Sequence, residues 1–336
     1  MHGRITELEA SKPVKIDEKD KKILTLLSEN SRMPLTKLTK TVKLSRDAVD
    51  YRIKRLQDKG VIVRFFPLID FKKFSYTLYH VFLLIDEAKP AKQKQLLDNL
   101  EKHPNVYSVI EYSDTWDLEI VFAAKSLEEF DEIMTDFSTK YSDIILEKNI
   151  LETLRNYAAV FLPKDITKKQ AELFKKRKKA KISLDEKDLA ILKLLAKDAR
   201  MSSYEIADKV KLSADAVGYR IKKLLESEVI VKFTALVDLS YLNYHWYSFA
   251  FSTKLFDKTH EAKLKQFVQM HPYIIKAIKT IGDFDLLFYI VAENPRDFHS
   301  TVKQIKKEFS DIVKSYQTWI AYREHVFNPF PAVLEK

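Results

Sequence analysis

The sequence repeats itself at a constant offset of 168 residues, and this internal repeat constrains the fold more than any other feature. The segment Asp17-Glu18-Lys19-Asp20 recurs as Asp185-Glu186-Lys187-Asp188, and Tyr51-Arg52-Ile53-Lys54 recurs as Tyr219-Arg220-Ile221-Lys222. Roughly half of positions 17–64 are identical to their partners at this offset. Because there are only two copies of such a long unit, a pseudo-dimer is a better interpretation than a solenoid.

Length and composition exclude several classes of protein. With 336 residues the chain is long enough for two or more domains. It has no cysteine, which removes disulfides, thiolate nucleophiles and cysteine-based zinc sites. Its four glycines are too scattered for a dinucleotide-binding or Walker loop. No apolar run is long enough to span a membrane and no signal core is present, so we expect a cytoplasmic protein without a membrane partner.

The first part of each half has the pattern of three short helices followed by a strand. In the first half, Ser45 is placed as the N-cap of a third helix whose apolar positions Val49, Ile53 and Leu56 share one face. Gly60 ends that helix, and the β-branched residues 61–63 begin a strand. Three compact helices with a basic, aromatic face on the third, followed by a β-ribbon, predict a winged helix-turn-helix domain.

The second part of each half reads strand, helix, strand, strand, helix, strand. The predicted elements are 76–85, 92–102, 106–112, 117–124, 126–140 and 145–154, and then 246–253, 261–270, 274–281, 285–292, 295–309 and 313–322. This is the order of a ferredoxin-like βαββαβ sandwich, whose free sheet face must be buried by the other half or by another chain. The fold class is therefore α+β, with two winged helix-turn-helix domains alternating with two ferredoxin-like domains.

The predicted organisation has six segments, two of which do not belong to a domain. The N-terminal tail is residues 1–16, and a basic linker at 164–181, which we expect to be solvated and partly helical, joins the two halves. The winged helix-turn-helix domains are 17–64 and 182–232, and the ferredoxin-like sensor and dimerisation domains are 65–163 and 233–336.

Residues 182–244 resemble the N-terminal module of Lrp/AsnC transcriptional regulators, and of the archaeal members in particular. The resemblance is carried by Leu184-Asp185-Glu186-Lys187-Asp188, Leu212-Ser213 and Tyr219-Arg220-Ile221-Lys222-Lys223-Leu224, and Ile281-Gly282-Asp283-Phe284-Asp285 is similar to the loop of their ligand-sensing RAM domain. It implies a sequence-specific regulator that binds double-stranded DNA, associates through its ferredoxin-like domains, and often responds to an amino acid or related effector at that interface. Most members carry one unit per chain, so the tandem arrangement is a departure.

The third helix of each helix-turn-helix unit carries the candidate DNA contacts. Cationic side chains can neutralise phosphates or donate to guanine edges, and tyrosine or aspartate can add polar contacts. The alternative is that these residues form a solvated helix face and that Arg52 and Arg220 pair with local carboxylates as structural ions. The candidates are Ser45, Arg46, Asp50, Tyr51, Arg52, Lys54 and Arg55 in the first half, and Ser213, Tyr219, Arg220, Lys222 and Lys223 in the second. Ala214 and Gly218 replace Arg46 and Asp50, so the second copy should read bases differently.

The candidate effector site is the loop between the third and fourth segments of each sandwich. Gly282 allows its backbone to approach a ligand carboxylate, and Asp283 and Asp285 could bind an ammonium group, with Phe284 between them. The alternative is a tight strand connection with solvated carboxylates. The first half has Asp114, Trp116 and Asp117 instead, without a glycine, and the bulk of Trp116 predicts an altered or closed pocket there.

Two other functions compete with specific transcriptional regulation. One is an architectural chromatin protein with little sequence preference. The other is an enzyme like the siroheme decarboxylases, which share both modules, with Arg323, Glu324 and His325 as candidate residues. No nucleophile, metal or paired-carboxylate motif stands out, so we expect no enzyme activity, no cofactor and no metal site. His103 and His271 precede prolines and are expected in turns.

The net charge of +10 is unevenly distributed. Residues 17–64 carry +6 and the linker 164–181 carries +7, whereas residues 65–163 carry −7. This distribution favours a polyanionic partner at the first helix-turn-helix unit and the linker, as expected of a nucleoid-associated protein. If charge guides binding, Arg52→Ala, or neutralising Lys175 to Lys179, should lower DNA affinity and flatten its salt dependence more than Arg220→Ala does.

Overall fold

Each half of the chain folds into three helices and a strand, followed by a four-stranded sheet with two helices on one face. The computed structural model describes residues 4–5, 12–159, 162–168 and 183–335. In the first half the elements are α1 Glu18–Glu29, α2 Leu35–Val42, α3 Arg46–Asp58, β1 Ile62–Ile69, β2 Thr77–Ile85, α4 Pro90–Lys102, β3 Val106–Tyr112, β4 Leu118–Ala124, α5 Leu127–Tyr141 and β5 Ile145–Ala159. The short helix α6 Lys164–Thr167 follows.

The second half repeats this order. Its elements are α7 Glu186–Lys197, α8 Ser203–Val210, α9 Ala214–Glu226, β6 Ile230–Val237, β7 His245–Thr253, α10 Lys258–Met270, β8 Ile274–Ile281, β9 Leu286–Ala292, α11 Pro295–Glu308 and β10 Val313–Phe327. Beyond α6 and Lys168, the basic linker, including the lysine-rich run 175–179, lies outside the described residues.

The first helix of each half begins at the same local signal. Asp17 and Asp185 accept hydrogen bonds from backbone amides of the first turn, and Asp20 and Asp188 accept from the cap residues in return. These reciprocal capping boxes satisfy amide groups that a helix start would leave without partners. The repeated Asp-Glu-Lys-Asp segment thus fixes where α1 and α7 begin.

The β-ribbon after the third helix takes one strand from each half. Strand β1 pairs antiparallel with β6, with Phe65 opposite Ala235 and Phe66 opposite Thr234. Helix α1 packs against β6, and α7 packs against β1, so each helix-turn-helix unit leans on a strand of the other half. The helix-turn-helix prediction is confirmed, and the ribbon joins the two units to each other.

The two ferredoxin-like sheets close into one eight-stranded antiparallel barrel, in the order β10-β3-β4-β2-β5-β8-β9-β7. One seam between the halves joins β5 to β8, and the other joins β10 to β3. On β2, Val81 and Leu83 face helices α4 and α5, whereas Phe82 faces the barrel interior and stacks on Trp319 of the other half, with the ring centroids 5.2 Å apart. The free sheet faces are therefore buried against each other within one chain.

No helix among the described residues is long and apolar enough to cross a membrane.

Candidate nucleic-acid interface and sensor loops

Helices α3 and α9 present matching polar faces. Ser45 and Ser213 cap them by accepting from the amides of Ala48 and Ala216, at 3.2 and 3.1 Å. The apolar positions 49, 53 and 56, and their partners 217, 221 and 224, are buried against the other helices. The side chains on the opposite face are consequently directed away from the core.

Most of the predicted DNA contacts on these faces are exposed. Tyr51 and Tyr219 are 67% and 70% exposed, which is unusual for tyrosine without a partner surface. Arg46 and Lys223 are also exposed. Lys54 forms a salt bridge with Asp50, and Lys222 lies 3.7 Å from Glu226, but both lysines keep most of their side chain in solvent. These groups can rearrange towards phosphates at little cost.

Arg52 and Arg220 do not belong to this exposed set. The guanidinium of Arg52 donates to the carboxylates of Asp17 and Asp20 at 2.8 Å. That of Arg220 donates in the same way to Asp185 and Asp188, at 2.8 and 2.7 Å. The hydrogen bond with Asp20 raises the pKa of Arg52, and the bond with Asp188 raises that of Arg220. The geometry therefore favours the structural interpretation of these two arginines, which tie the third helix to the start of the first.

The two halves differ in how well this buried carboxylate is neutralised. Asp20 is paired with Arg55 as well as Arg52, and its side chain is almost fully buried. The position of Arg55 is taken by Lys223 in the second half, and Lys223 is exposed. Arg55, predicted to contact DNA, is thus engaged inside its own domain, whereas its counterpart is available.

Two further arginines hold the helix-turn-helix units together. Arg32 donates to the backbone carbonyl oxygens of Ala199 and Met201 at 2.6 and 2.7 Å, and Arg200 donates to that of Ser31 at 3.1 Å. Each guanidinium also lies over a phenylalanine ring of the ribbon strand beside it. Burial is the main cause that lowers the pKa of both.

Arg32 and Arg200 were not predicted from the sequence to have a role. A signal was available, because Arg32-Met33 recurs as Arg200-Met201 in a stretch where most neighbouring positions differ between the halves. An arginine kept in both copies outside the third helix is a candidate contact between the copies.

The loop that contains Gly282, in the second half, packs tightly against β5 of the first half. Gly282 has φ of +138°, and a Cβ built there would lie 2.4 Å from the carbonyl oxygen of Ile150 and 2.7 Å from a methyl carbon of Leu151. The side-chain amide of Asn149 donates to the Asp283 carboxylate. Glycine is required here by the close approach of β5, which is a sufficient reason for its presence.

Two of the remaining loop carboxylates accept hydrogen bonds from backbone amides. Asp285 accepts from the amide and hydroxyl of Thr253 at 2.6 and 2.8 Å, and Asp117 accepts from the amide of Ile85 at 2.6 Å. Burial raises the pKa of Asp117. Asp114, by contrast, is exposed. Asp117 and Asp285 each bind the end of a neighbouring strand, which favours the tight-connection interpretation for these two carboxylates.

Trp116 is buried in the barrel core. It occupies the position equivalent to Phe284, and both aromatic side chains are buried in the barrel, beside Phe82 and Trp319 respectively. The Trp116 ring lies in the core, and the altered or closed pocket expected in the first half stays a prediction. The loops differ instead where Asp114 stands in place of Gly282.

The barrel interior contains a polar cluster that the sequence reasoning missed. Glu119 accepts from His80 Nδ1 and from the hydroxyl of Tyr112, both at 2.6 Å, and from the hydroxyl of Tyr289. Burial opposes ionisation of Glu119, but these three donors outweigh it and lower its pKa. Burial lowers the pKa of His80. A histidine and a glutamate inside otherwise apolar strands were the available signal.

The candidate residues for an enzyme are engaged elsewhere. His325 Nε2 lies 2.6 Å from Glu111, and the side chain of Glu324 is fully buried and paired with Arg4. Arg323 pairs with Glu111 across the seam between β10 and β3 in the strand register. His103 and His271 each accept from the amide two residues later at 3.2 Å, as expected in turns. Within the described ranges, no group of three or more acidic or histidine residues is placed to hold a metal ion.

Both copies of the helix-turn-helix match a known family. The model for the AsnC-type helix-turn-helix domain matches residues 16–57 and 184–225. The chain is 30% identical over 121 residues to the HTH-type transcriptional regulator FL11 of Pyrococcus horikoshii, covering 36% of this chain and 79% of that one. It is 32% identical over 154 residues to an uncharacterized HTH-type transcriptional regulator of the same organism, covering 45% of this chain and 96% of the relative.

A solved structure of similar fold spans nearly the whole chain. The siroheme decarboxylase NirDL has a similar fold over 95% of this chain and 97% of its own, with a TM-score of 0.65. The sequence identity is 13%, so this likeness concerns the fold alone.

Proposed function

Because the chain belongs to the Lrp/AsnC family and is a DNA-binding transcriptional regulator, we propose that α3 and α9 read two half-sites in successive major grooves of one duplex. The β1–β6 ribbon carries this proposal, since it joins the two helix-turn-helix units of a single polypeptide. The groove spacing of about 34 Å is the expectation for such a pair of recognition helices. A cytoplasmic, nucleoid-associated location is part of the same proposal.

The two half-sites should differ in sequence. In a symmetric dimer the operator repeats because the two recognition helices are identical. Here Arg46 and Asp50 face one half-site, and Ala214 and Gly218 face the other. An arginine can donate two hydrogen bonds to guanine, and alanine cannot. The proposed operator is therefore an asymmetric pair of half-sites.

Selection from a random duplex library, followed by footprinting, tests this proposal. The expected result is a discrete protected site with two unlike half-sites. Tyr51→Ala should alter contacts in one half-site, and the matched variant Tyr219→Ala should alter them in the other. Uniform protection without a preferred sequence would instead establish the architectural function.

Salt dependence of binding tests the individual cations. Each phosphate contact contributes about 0.9 to the slope of log K against log salt concentration. Arg46→Gln and Lys223→Gln should each reduce the slope by about that amount if the side chain contacts a phosphate. Arg296→Gln, at an exposed position on α11, is the control. Unchanged slopes in both variants would remove these two residues from the interface.

For regulation, we propose an amino-acid-like effector at the seam around Gly282 and Asp283. Its support is the position of the loop against β5 of the other half, where a ligand would change how the halves pack. Isothermal titration with a panel of amino acids, on the wild-type chain and on Asp283→Ala, tests the site. Binding that persists unchanged in Asp283→Ala would place the effector elsewhere.

A further inference from the structure

A small cavity lies between the two helix-turn-helix units. Its volume is about 160 Å³, and it is lined by Arg32, Met33, Pro34 and Leu35 of the first half and by Arg200 of the second. Pockets for drug-sized ligands usually have volumes of about 300–1,000 Å³. The size of this cavity therefore fits one small group of atoms rather than a whole nucleotide.

Two guanidinium groups line the cavity, and their planes are held in place. Each donates through Nη1 to a carbonyl oxygen of the other half. The guanidinium carbon of Arg32 lies 5.4 Å from the ring centroid of Phe233, and that of Arg200 lies 5.2 Å from the ring centroid of Phe65. Nε and Nη2 of both arginines have no hydrogen bond to any residue in the described part of the chain. These N–H groups are available for a ligand.

The two positive charges in the cavity act on each other. Burial lowers the pKa of Arg32, the carboxylate of Asp198 opposes this effect, and the charge of Arg200 adds to it. Asp198 is exposed, and its Oδ1 accepts from the amide of Arg200 at 2.8 Å within its own turn. An anion placed between the two guanidinium groups would offset the repulsion between them.

The N-terminus of helix α2 lies at the same cavity, through Pro34 and Leu35. No side chain in the described part of the chain caps this helix, and its first turn has no acidic residue. Its third position is Lys37, whose positive charge opposes the helix dipole. The amides at an uncapped helix N-terminus bind anions, so they add to the two guanidinium groups as donors.

The equivalent helix of the second half caps itself. The hydroxyl of Ser202 accepts from the amide of Glu205 at 3.2 Å, and the carboxylate of Glu205 accepts from the amide of Ser202 at 2.7 Å. At the repeat offset, α2 has Pro34 and Lys37 at these two positions. The chain thus supplies a carboxylate at the start of α8 and leaves the start of α2 without one.

We propose that the cavity between Arg32 and Arg200 is a binding site for one phosphate group. The guanidinium groups of both halves and the first amides of α2 donate to its oxygens, because guanidinium groups bind phosphate through paired hydrogen bonds. A phosphate bound in this way contacts both helix-turn-helix units and stabilises their relative placement.

The phosphate group has two possible sources, free phosphate and the DNA backbone. Burial lowers the pKa of Arg200, and the charges of Asp198 and of Asp50 on α3 oppose this effect. Asp50 is therefore near Arg200, which places the cavity beside the polar face of α3. A backbone phosphate between the two half-sites is one source, and only this source rests on the proposed function.

Isothermal titration of the full-length chain with inorganic phosphate, in a chloride buffer, tests the site without DNA. The expected result is one phosphate per chain with a Kd of about 1 mM. Pro34→Ser combined with Lys37→Glu transfers the α8 cap to α2 and should weaken phosphate binding at least tenfold. The same double variant should also raise the urea midpoint, because it adds a capping box, so it is expected to fold. Arg200→Gln should weaken phosphate binding at least tenfold as well.

Lys303→Glu, at an exposed position on α11, is the matched control, because it changes the net charge by the same amount as Lys37→Glu. It should leave phosphate binding unchanged. Equal phosphate binding by the wild-type chain and the capped double variant would overturn the proposal.

A second measurement distinguishes the sources. Neutral methylphosphonates replace the backbone phosphates of the selected operator one at a time. If the DNA backbone supplies the phosphate, one position between the half-sites should weaken binding of the wild-type chain and have no effect on the capped double variant. Binding of inorganic phosphate without such a position assigns the site to free phosphate.

The two measurements keep this proposal apart from the proposed function. If the chain binds no DNA, the proposed function fails, and the phosphate titration alone decides the site. Absence of phosphate binding up to about 20 mM, together with absence of a sensitive backbone position, would overturn the proposal.

Discussion

The guanidinium of Arg32 donates to the carbonyl oxygen of Ala199, in the other half of the chain, at 2.6 Å. Arg200 makes the reciprocal contact with Ser31, and the amides of Ser31 and Ala199 donate to the carbonyl oxygens of Phe233 and Phe65. These bonds join the turn after the first helix of each unit to the ribbon strand of the other unit. They therefore couple the placement of α3 to that of α9.

Arg32→Ala should destabilise the chain more than Arg200→Ala. Arg32 makes two charge-assisted hydrogen bonds to backbone carbonyls, whereas Arg200 makes one, and such bonds are worth about 1.5–3 kcal/mol each when buried. The expected losses in the free energy of unfolding are about 3 kcal/mol for Arg32→Ala and about 1.5 kcal/mol for Arg200→Ala. Urea denaturation measures them, with the exposed Arg296→Ala as control. Equal losses would show that the hydrogen bonds are not what stabilises this junction.

Arg220→Ala should destabilise the chain more than Arg52→Ala, and neither should alter the salt dependence of DNA binding. Removing Arg52 leaves Asp20 with Arg55, but removing Arg220 leaves Asp188, 4% exposed, with Lys223 at the equivalent position. The expected losses in the free energy of unfolding, measured by urea denaturation, are about 2 kcal/mol for Arg220→Ala and about 1 kcal/mol for Arg52→Ala. The charge distribution predicts instead that Arg52→Ala lowers DNA affinity more than Arg220→Ala, because net charge takes no account of the ion pairs within each domain. A lower slope of log K against log salt concentration for either variant would instead show that the wild-type arginine contacts a phosphate.

The repeat and the apolar alternation predicted most elements, but not how the halves join. Strands β3 and β8 have the predicted bounds, 106–112 and 274–281. Strands β5 and β10 extend to Ala159 and Phe327, five residues beyond the predicted ends, because these residues pair across the seams with β8 and β3. Pairing between halves depends on backbone hydrogen bonds at strand edges, which leave no periodic signal in side chains. The exposed faces of α3 and α9 could be predicted from their helical spacing, and the pairing of Arg52 with local carboxylates was one of the two interpretations left open by the sequence. The backbone partners of Asp117 and Asp285 could not be predicted, because they depend on which strand end lies beside each loop.

Gly282→Ala and Gly218→Ala should change stability in opposite directions. A Cβ at position 282 would meet the Ile150 carbonyl oxygen at 2.4 Å, at a backbone φ of +138°. The expected cost is about 2–4 kcal/mol in the free energy of unfolding. Gly218 lies inside α9 with nothing within 4 Å of a built Cβ, so alanine should stabilise by about 0.5–1 kcal/mol. Urea denaturation of the two variants measures these changes. If Gly282→Ala leaves the free energy of unfolding unchanged, β5 does not approach the loop so closely.

Acidification should destabilise the chain between about pH 6.5 and pH 4 through His271. Burial, together with the charge of Lys164, lowers the pKa of His271 from 6.5 to about 4 in the folded chain. Above pH 6.5 the histidine is neutral in both states, so its contribution to stability is fully present there. As the pH falls towards 4 the unfolded chain binds the proton first, and stability decreases by up to about 1.4 kcal/mol per pH unit from this group. His271→Gln, which keeps a polar side chain in the turn, should flatten the curve of unfolding free energy against pH in that window. His260→Gln, at a histidine that contacts Asp257 and Asp311, is the matched control for replacing a histidine by glutamine. An unchanged slope in His271→Gln would show that His271 is protonated equally in the folded and unfolded chain.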